Sequence, residues 1–290
     1  MIRIGIVGAE NSHTVAISKV LNIEKKIRDC RVVSVWGETA GYARDAAERG
    51  QIETIVKKPE DMIGHIDAAC VDHRHAQFHL PAVLPLLEAK IPIFVDKPFC
   101  YRVAEGKRFL SRAKKLKVPV CSFSTLPKQA SFVQLQKDLK KLGRVISVIS
   151  TGPCDIRSKY GGVSFYGIHQ VDMITRLLDQ DITHAEVSLG KKNHTGTLYS
   201  ANGAISTLNL FTEGHTAFHI SVIAEKGRID RTIVRDDSPY LSGVKTFCKM
   251  FRTGKTDETS TTMLNPVAVL EAMEKSIKTR KRVKVPSIIL

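Results

Sequence analysis

Over roughly the first 120 residues, short apolar runs alternate with helix-patterned segments, and no other feature of the chain restricts its fold so strongly. The runs "IRIGIVG", "RVVSVW", "IDAACV", "IPIFV" and "VPVCSF" are separated by "SHTVAISKVLN", "AGYARDAAERG", "AQFHLPAVLPLLEAK" and "AEGKRFLSRAKKLK". Apolar strands without alternation are strands buried on both faces, and strands alternating with helices form a parallel sheet. Right-handed crossovers then make a doubly wound α/β domain. After about Phe123 the pattern changes: "HAEVSL", "TGTLYSA", "AISTLNLF", "FHISVIAE" and "RIDRTIV" follow one another with only short turns between them. Such runs predict a mainly antiparallel sheet, so the second part is α+β. The expected division is 1–122 for a dinucleotide-binding domain and 123–290 for a substrate-binding and oligomerisation domain. The last helix is free to pack back on the first domain.

The chain has 290 residues, 43% hydrophobic and 25% charged, which suits a globular protein with a substantial core. No apolar run approaches the roughly 20 residues of a membrane span, and "MIRIGIVG" lacks the pattern of a secretory signal. A cytoplasmic protein without membrane partners is the expectation. Six cysteines are scattered without a C-x-x-C pair, which predicts free, buried thiols and no metal site. The net charge of +15 falls largely on helical stretches such as "KRFLSRAKKLK", where basic residues line a solvated face. With no zinc-finger, basic-zipper or RNA-binding pattern, specific nucleic-acid binding is not expected. A small-molecule partner is expected, and the basic balance leaves an anionic one open.

The stretch "GIVGAENSH" sits where a doubly wound domain carries its phosphate-binding turn, ordinarily G-x-G-x-x-G. Gly8 holds the first glycine position, but Glu10 and His13 stand at the second and third. Gly8 permits a sharp exit from the strand, and Ser12 is placed to cap the following helix, whose N-terminus favours anions. The expected arrangement has Gly8 and Ala9 making the turn, backbone N–H groups of Asn11, Ser12 and His13 facing a phosphate, and Glu10 turned outward. At the end of the second strand Gly37 stands where an acidic ribose-binding residue is usual, with Glu38 next. If the strand is shifted by one, Glu38 serves, which slightly favours NAD over NADP.

Two further motifs carry chemistry. "VDKPF" follows the strand "IPIF", placing Lys97 at the carboxyl rim of the sheet, where it can exchange a proton with a substrate oxygen. Pro98 restricts Lys97 to an extended conformation. In "GIHQVDMITR", His169, Asp172 and Arg176 fall at i, i+3 and i+7 on one helix face. That spacing suits a histidine and carboxylate binding a polyol. Equally, it lets His169 cap the helix and Asp172 pair with Arg176.

Taken in this order, the pieces resemble the Gfo/Idh/MocA oxidoreductase family of glucose–fructose oxidoreductase and inositol dehydrogenase. "HLPAVLPLLEAKIPIFVDKPF" is similar to its histidine, helix and E-K-P arrangement, with His79 at the histidine and Asp96-Lys97-Pro98 replacing Glu-Lys-Pro. "GGVSFYGIHQVDMITRLL" is similar to its glycine-rich loop and G-x-H-x-x-D helix, and "VIAEKGRID" to a later segment. The resemblance implies an N-terminal Rossmann domain binding NAD or NADP through the turn, Glu38, His79, Asp96 and Pro98. It implies Lys97 as catalytic lysine, Asp172 as acidic partner with His169 nearby, and a substrate held by Lys97, Tyr160 and His169. Where the family often has a histidine or tyrosine acid/base, this chain has Arg176, which holds its proton and suits a substrate carboxylate or phosphate. A homodimer or homotetramer is implied as well. The expected activity is an NAD(P)-dependent oxidoreductase acting on a sugar, cyclitol or related polyol. A non-catalytic ligand-binding or regulatory protein on the same fold is the alternative that the altered turn and Arg176 favour.

Overall fold

A computed structural model describes residues 1–178 and 181–290. Its first sheet has six strands: β1 (Ile2–Val7), β2 (Cys30–Trp36), β3 (Thr54–Ile55), β4 (Ala68–Val71), β5 (Ile93–Val95) and β6 (Val120–Ser122). All pair in parallel, in the order β3-β2-β1-β4-β5-β6. The crossovers include α1 (Ser12–Ser18), α2 (Ala40–Gly50), α3 (His79–Glu88) and α4 (Val103–Leu116). β4 is buried at every residue, as an unalternating apolar run requires. Strand order reverses between β1 and β4, so a crevice opens beyond their carboxyl ends. β3, only two exposed residues long, carries too little apolar signal to stand out in the sequence.

Beyond α5 (Ala130–Leu139) lies a second sheet: β7 (Val145–Pro153), β8 (Ile182–Leu189), β9 (Asn193–Ser200), β10 (Ile205–Phe211), β11 (Phe218–Ala224) and β12 (Gly227–Ile233), completed by β13 (Val283–Lys284). The order is β12-β11-β7-β10-β9-β8-β13, antiparallel except for the β7–β10 pair. The long α6 (Val163–Leu177) packs against one face, where Val148, Leu208 and Ile220 are fully buried beside Val171 and Ile174. Ile146, Ile149, Ile205 and Ile223 are exposed. This is the alternation of a sheet covered on one side.

The two closing helices, α7 (Leu241–Thr253) and α8 (Ser260–Thr279), return to the first sheet. Phe247 of α7 stacks on Phe94 of β5 with ring centroids 4.6 Å apart. α8 belongs to both cores: Met263, Leu264 and Val267 pack with Phe99 and Val103, while Leu270 and Met273 pack with Val171 and Leu198. Its close approach to α4 depends on Gly106, where a Cβ would lie 2.6 Å from a Leu264 methyl carbon. All six cysteines are free and buried. No helix among the described residues is long and apolar enough to cross a membrane.

Candidate active site

The crevice is built from the carboxyl ends of β1, β4 and β5. Gly8 leaves β1 with φ +107°, and a Cβ there would come within 2.8 Å of the His73 nitrogen, so only glycine fits. Asn11, rather than Ser12, caps α1, its side-chain oxygen accepting from the His13 N–H. The Asn11 and Ser12 N–H groups donate to no group among the described residues. Glu38 reaches the turn from beyond β2, and its Oε2 accepts from the N–H groups of Ala9 (2.8 Å) and Glu10 (2.9 Å).

Glu10 does not turn outward. Its Oε1 accepts from the Tyr160 hydroxyl at 2.6 Å, bridging the first turn to the loop before α6. Arg74 lies over the Tyr160 ring, 4.4 Å from its centroid, so cation and phenol together give the carboxylate a favourable place inside the crevice.

Beneath the turn, two buried carboxylates face each other. Asp72 ends β4 and accepts from Thr14 Oγ1 (2.8 Å) and Asn11 Nδ2 (3.2 Å). Asp96 ends β5 and accepts from Asn11 Nδ2 (3.2 Å), with His13 Nδ1 at 2.9 Å and Lys97 Nζ at 3.9 Å. Burial raises the Asp72 carboxyl well above its ordinary range, and the Asp96 charge adds to this. For Asp96 burial acts the same way, but His13 and Lys97 outweigh it and hold the group below the carboxylate range. Of the two, Asp96 is the one whose surroundings favour the charged form. Ligand atoms of His13, Asp72 and Asp96 lie within 4.8 Å of one another, as a cation site would need. Asn11, Thr14 and Lys97 already balance these groups without one.

Lys97 is buried at the rim of β5, its peptide bond to Pro98 cis. Its Nζ sits 5.2 Å from the Phe165 ring centroid. His79 lies wholly beneath the surface, its ring nitrogens against the carbonyls of Pro98 (2.9 Å) and His73 (2.8 Å). It joins the loops after β4 and β5 from below and does not reach the cleft wall.

Above these groups is a cavity of about 150 Å³ between the domains, whose wall includes His13, Arg74, Lys97, His169, Arg235 and Tyr240. His169 sits in mid-helix on α6, not at a cap, with Ser124 Oγ 2.7 Å from its Nδ1. The Ser124 oxygen also accepts from Leu126 N–H, and a hydroxyl proton directed to Nδ1 would place the ring's own proton on Nε2. Burial, then the Lys97 charge, drive His169 well below its ordinary pKa, so it is neutral. Asp172 and Arg176 are not on the cavity wall. Asp172 accepts from Ser124 N–H (3.1 Å) and from Arg176 Nε (2.7 Å), and Arg176 also pairs with the buried Glu258 at 2.8 Å. Asp172 thus braces the Ser124 that contacts His169, while Arg176 is off the wall of this cavity and paired with two carboxylates.

The profile of the GFO/IDH/MocA oxidoreductase family, with an NAD-binding Rossmann fold, matches residues 2–123. The first domain is similar to that oxidoreductase family. Solved structures extend the likeness of fold across both domains. The myo-inositol 2-dehydrogenase of Lactobacillus plantarum is 18% identical with a TM-score of 0.84, covering 98% of this chain and 99% of the other. A Lactobacillus casei myo-inositol dehydrogenase, solved with NAD(H) and myo-inositol, is 15% identical with a TM-score of 0.85, over 99% and 97% of the two chains. The scyllo-inositol dehydrogenase of the same organism, solved with NAD(H) and scyllo-inositol, gives 15% and 0.85 over 99% and 100% of the chains. No curated protein sequence matches. Sequence reasoning missed Asp72, Ser124, Glu258, Arg74 and Arg235. Asp72 had a signal, an acidic residue directly after a buried strand; the others become neighbours only through tertiary packing.

Proposed function

We propose that the protein is an NAD(P)-dependent oxidoreductase acting on a carbon–oxygen bond of a sugar, cyclitol or related polyol. The observation that carries this reading is the meeting of Lys97 and neutral His169 on one cavity wall with the α1 turn. A nicotinamide dinucleotide fits the residues present: free N–H groups of Asn11 and Ser12 suit a phosphate, and Glu38, just beyond β2 and next to the turn, suits ribose hydroxyls. When bound, that group would supply or accept the hydride. Lys97 Nζ gives a proton to the carbonyl oxygen in reduction and takes it from the hydroxyl in oxidation. His169 holds the same oxygen through its Nε2–H, kept in position by Ser124 and, behind it, Asp172. Phe165 and Tyr240 narrow the cavity and limit water near the reacting carbon. NAD is favoured over NADP because a carboxylate at Glu38 repels a 2′-phosphate.

Absorbance at 340 nm across a polyol panel tests this, with Lys97→Met as the paired variant. The variant is expected to lose about 100-fold or more in kcat. Equal turnover by the two proteins removes Lys97 from the mechanism.

A non-catalytic ligand-binding protein is the second reading, favoured by the Glu38 and Glu10 carboxylates at the turn. Titration with NADH and NADPH, read through nucleotide fluorescence, separates the two. Binding of neither nucleotide selects the second.

A further inference from the structure

The cavity between the domains is lopsided in charge. Arg74, Lys97 and Arg235 reach its wall, and no carboxylate does. Lys97 has Asp96 behind it. Arg74 forms no ion pair among the described residues; its guanidinium rests on the faces of Tyr160 and Phe165. Arg235 lies on the stretch between β12 and α7, and it makes neither ion pair nor hydrogen bond among the described residues. Its acidic neighbours in sequence do not neutralise the cavity. Asp236 accepts from Ala130 N–H at the start of α5, and neither it nor Asp237 is on the wall.

Most guanidinium groups around this site are committed. Arg176, for which the family resemblance suggested an anion clamp, is held by Asp172 and Glu258. Among the described residues, Arg235 is the one guanidinium on the cavity wall with neither a carboxylate nor an aromatic face to satisfy it. A guanidinium fork matches the two oxygens of a carboxylate or phosphate, and unpaired cations around a narrow cleft raise the local concentration of anions. The same positive surroundings help to keep His169 neutral.

We propose that the substrate is a polyol bearing a carboxylate or phosphate, with Arg235 gripping that oxyanion while Lys97 and His169 face the reacting carbon. The redox half of this statement rests on the oxidoreductase reading above; the anion-binding half does not.

Calorimetric titration without nucleotide tests the anion half. The probes are D-galacturonate and D-gluconate for the carboxylate, D-galactose 6-phosphate for the phosphate, and D-galactose and myo-inositol as neutral counterparts. At least one acidic probe is expected to bind about tenfold or more tightly than its neutral counterpart. Arg235→Gln should erase that preference while leaving the neutral sugars unchanged, and Arg235→Lys should restore part of it. Arg235 is exposed on a connecting stretch, so neither change threatens folding. Comparing the two kinds of acidic probe tells carboxylate from phosphate. Equal binding of acidic and neutral probes overturns the proposal, as does an Arg235→Gln protein that keeps the preference. Absent NADH binding with the acid preference intact would defeat the oxidoreductase reading and leave the anion site standing.

Discussion

The Tyr160 hydroxyl donates to Glu10 Oε1 at 2.6 Å, a bond that joins the first βα turn to the second domain across the mouth of the crevice. Because Glu10 stands at a position where glycine is usual, its charge lies near any phosphate held by Asn11 and Ser12. Glu10→Gln keeps the shape and removes the charge. At an effective dielectric near 20 to 40, its removal should tighten NADH by roughly 1 kcal/mol, about fivefold. Fluorescence titration checks this, and an unchanged Kd would place the carboxylate outside the phosphate field. A double-mutant cycle with Tyr160→Phe in urea melts should give a coupling of about 1 kcal/mol.

Arg176 is expected to matter for stability far more than for substrate. Burial opposes its charge, but Asp172 and Glu258 hold its pKa above the ordinary arginine value. Arg176→Leu would leave the buried Asp172 without a cation and Glu258 with Lys128 alone, at a cost of about 3–5 kcal/mol in urea unfolding. A loss below about 1 kcal/mol would show that the two carboxylates find other partners. Glu258 opposes burial through Arg176 and Lys128 and is held below its usual pKa. Its contribution is therefore present above about pH 4.5 and fades as the pH falls through its lower folded value.

The buried Asp72 should make stability fall with rising pH. Its folded pKa is raised, so the folded state keeps a proton that the unfolded chain releases near 3.8. Stability then drops from about pH 4 upward until the folded pKa is passed, the opposite sense to Glu258. Asp72→Asn has nearly the same shape and no proton to lose, so its urea midpoint should vary less over that range. Parallel profiles for the two proteins would mean that Asp72 is ionised in the fold.

Gly106 tests the seam between α4 and α8. A side chain there meets both Leu264 and the Cys100 sulfur at 2.6 Å. Gly106→Val should cost about 1–3 kcal/mol through overpacking, despite valine's smaller backbone entropy loss on folding. A thermal midpoint equal to that of the parent would show that α8 can move aside.

The parallel sheet and the placement of Lys97 at its strand rim follow from patterns visible in the chain, whereas the joining of His169 to the same cavity was implied by the family resemblance. Burial periodicity and the turn after β5 are local, so they can be read without a fold. The fate of Arg176 was also local, an i+4 partner for Asp172, but the choice between that pair and a substrate clamp was not. Glu258 decides it, and nothing in the sequence places Glu258 beside α6. Glu10 illustrates the same limit, since its inward turn depends on Tyr160 from the other domain. Arg235 carried no motif at all; its importance comes from the carboxylates that are missing around it.

α8 has a consequence for how the molecule is made. Leu264 and Val267 complete the core around Phe99, and Phe247 of α7 covers Phe94. The parallel sheet emerges first during synthesis but stays unfinished until the end of the chain has been delivered. A protein truncated before these helices should leave that sheet sticky and prone to associate, and the two domains should melt together as one unit.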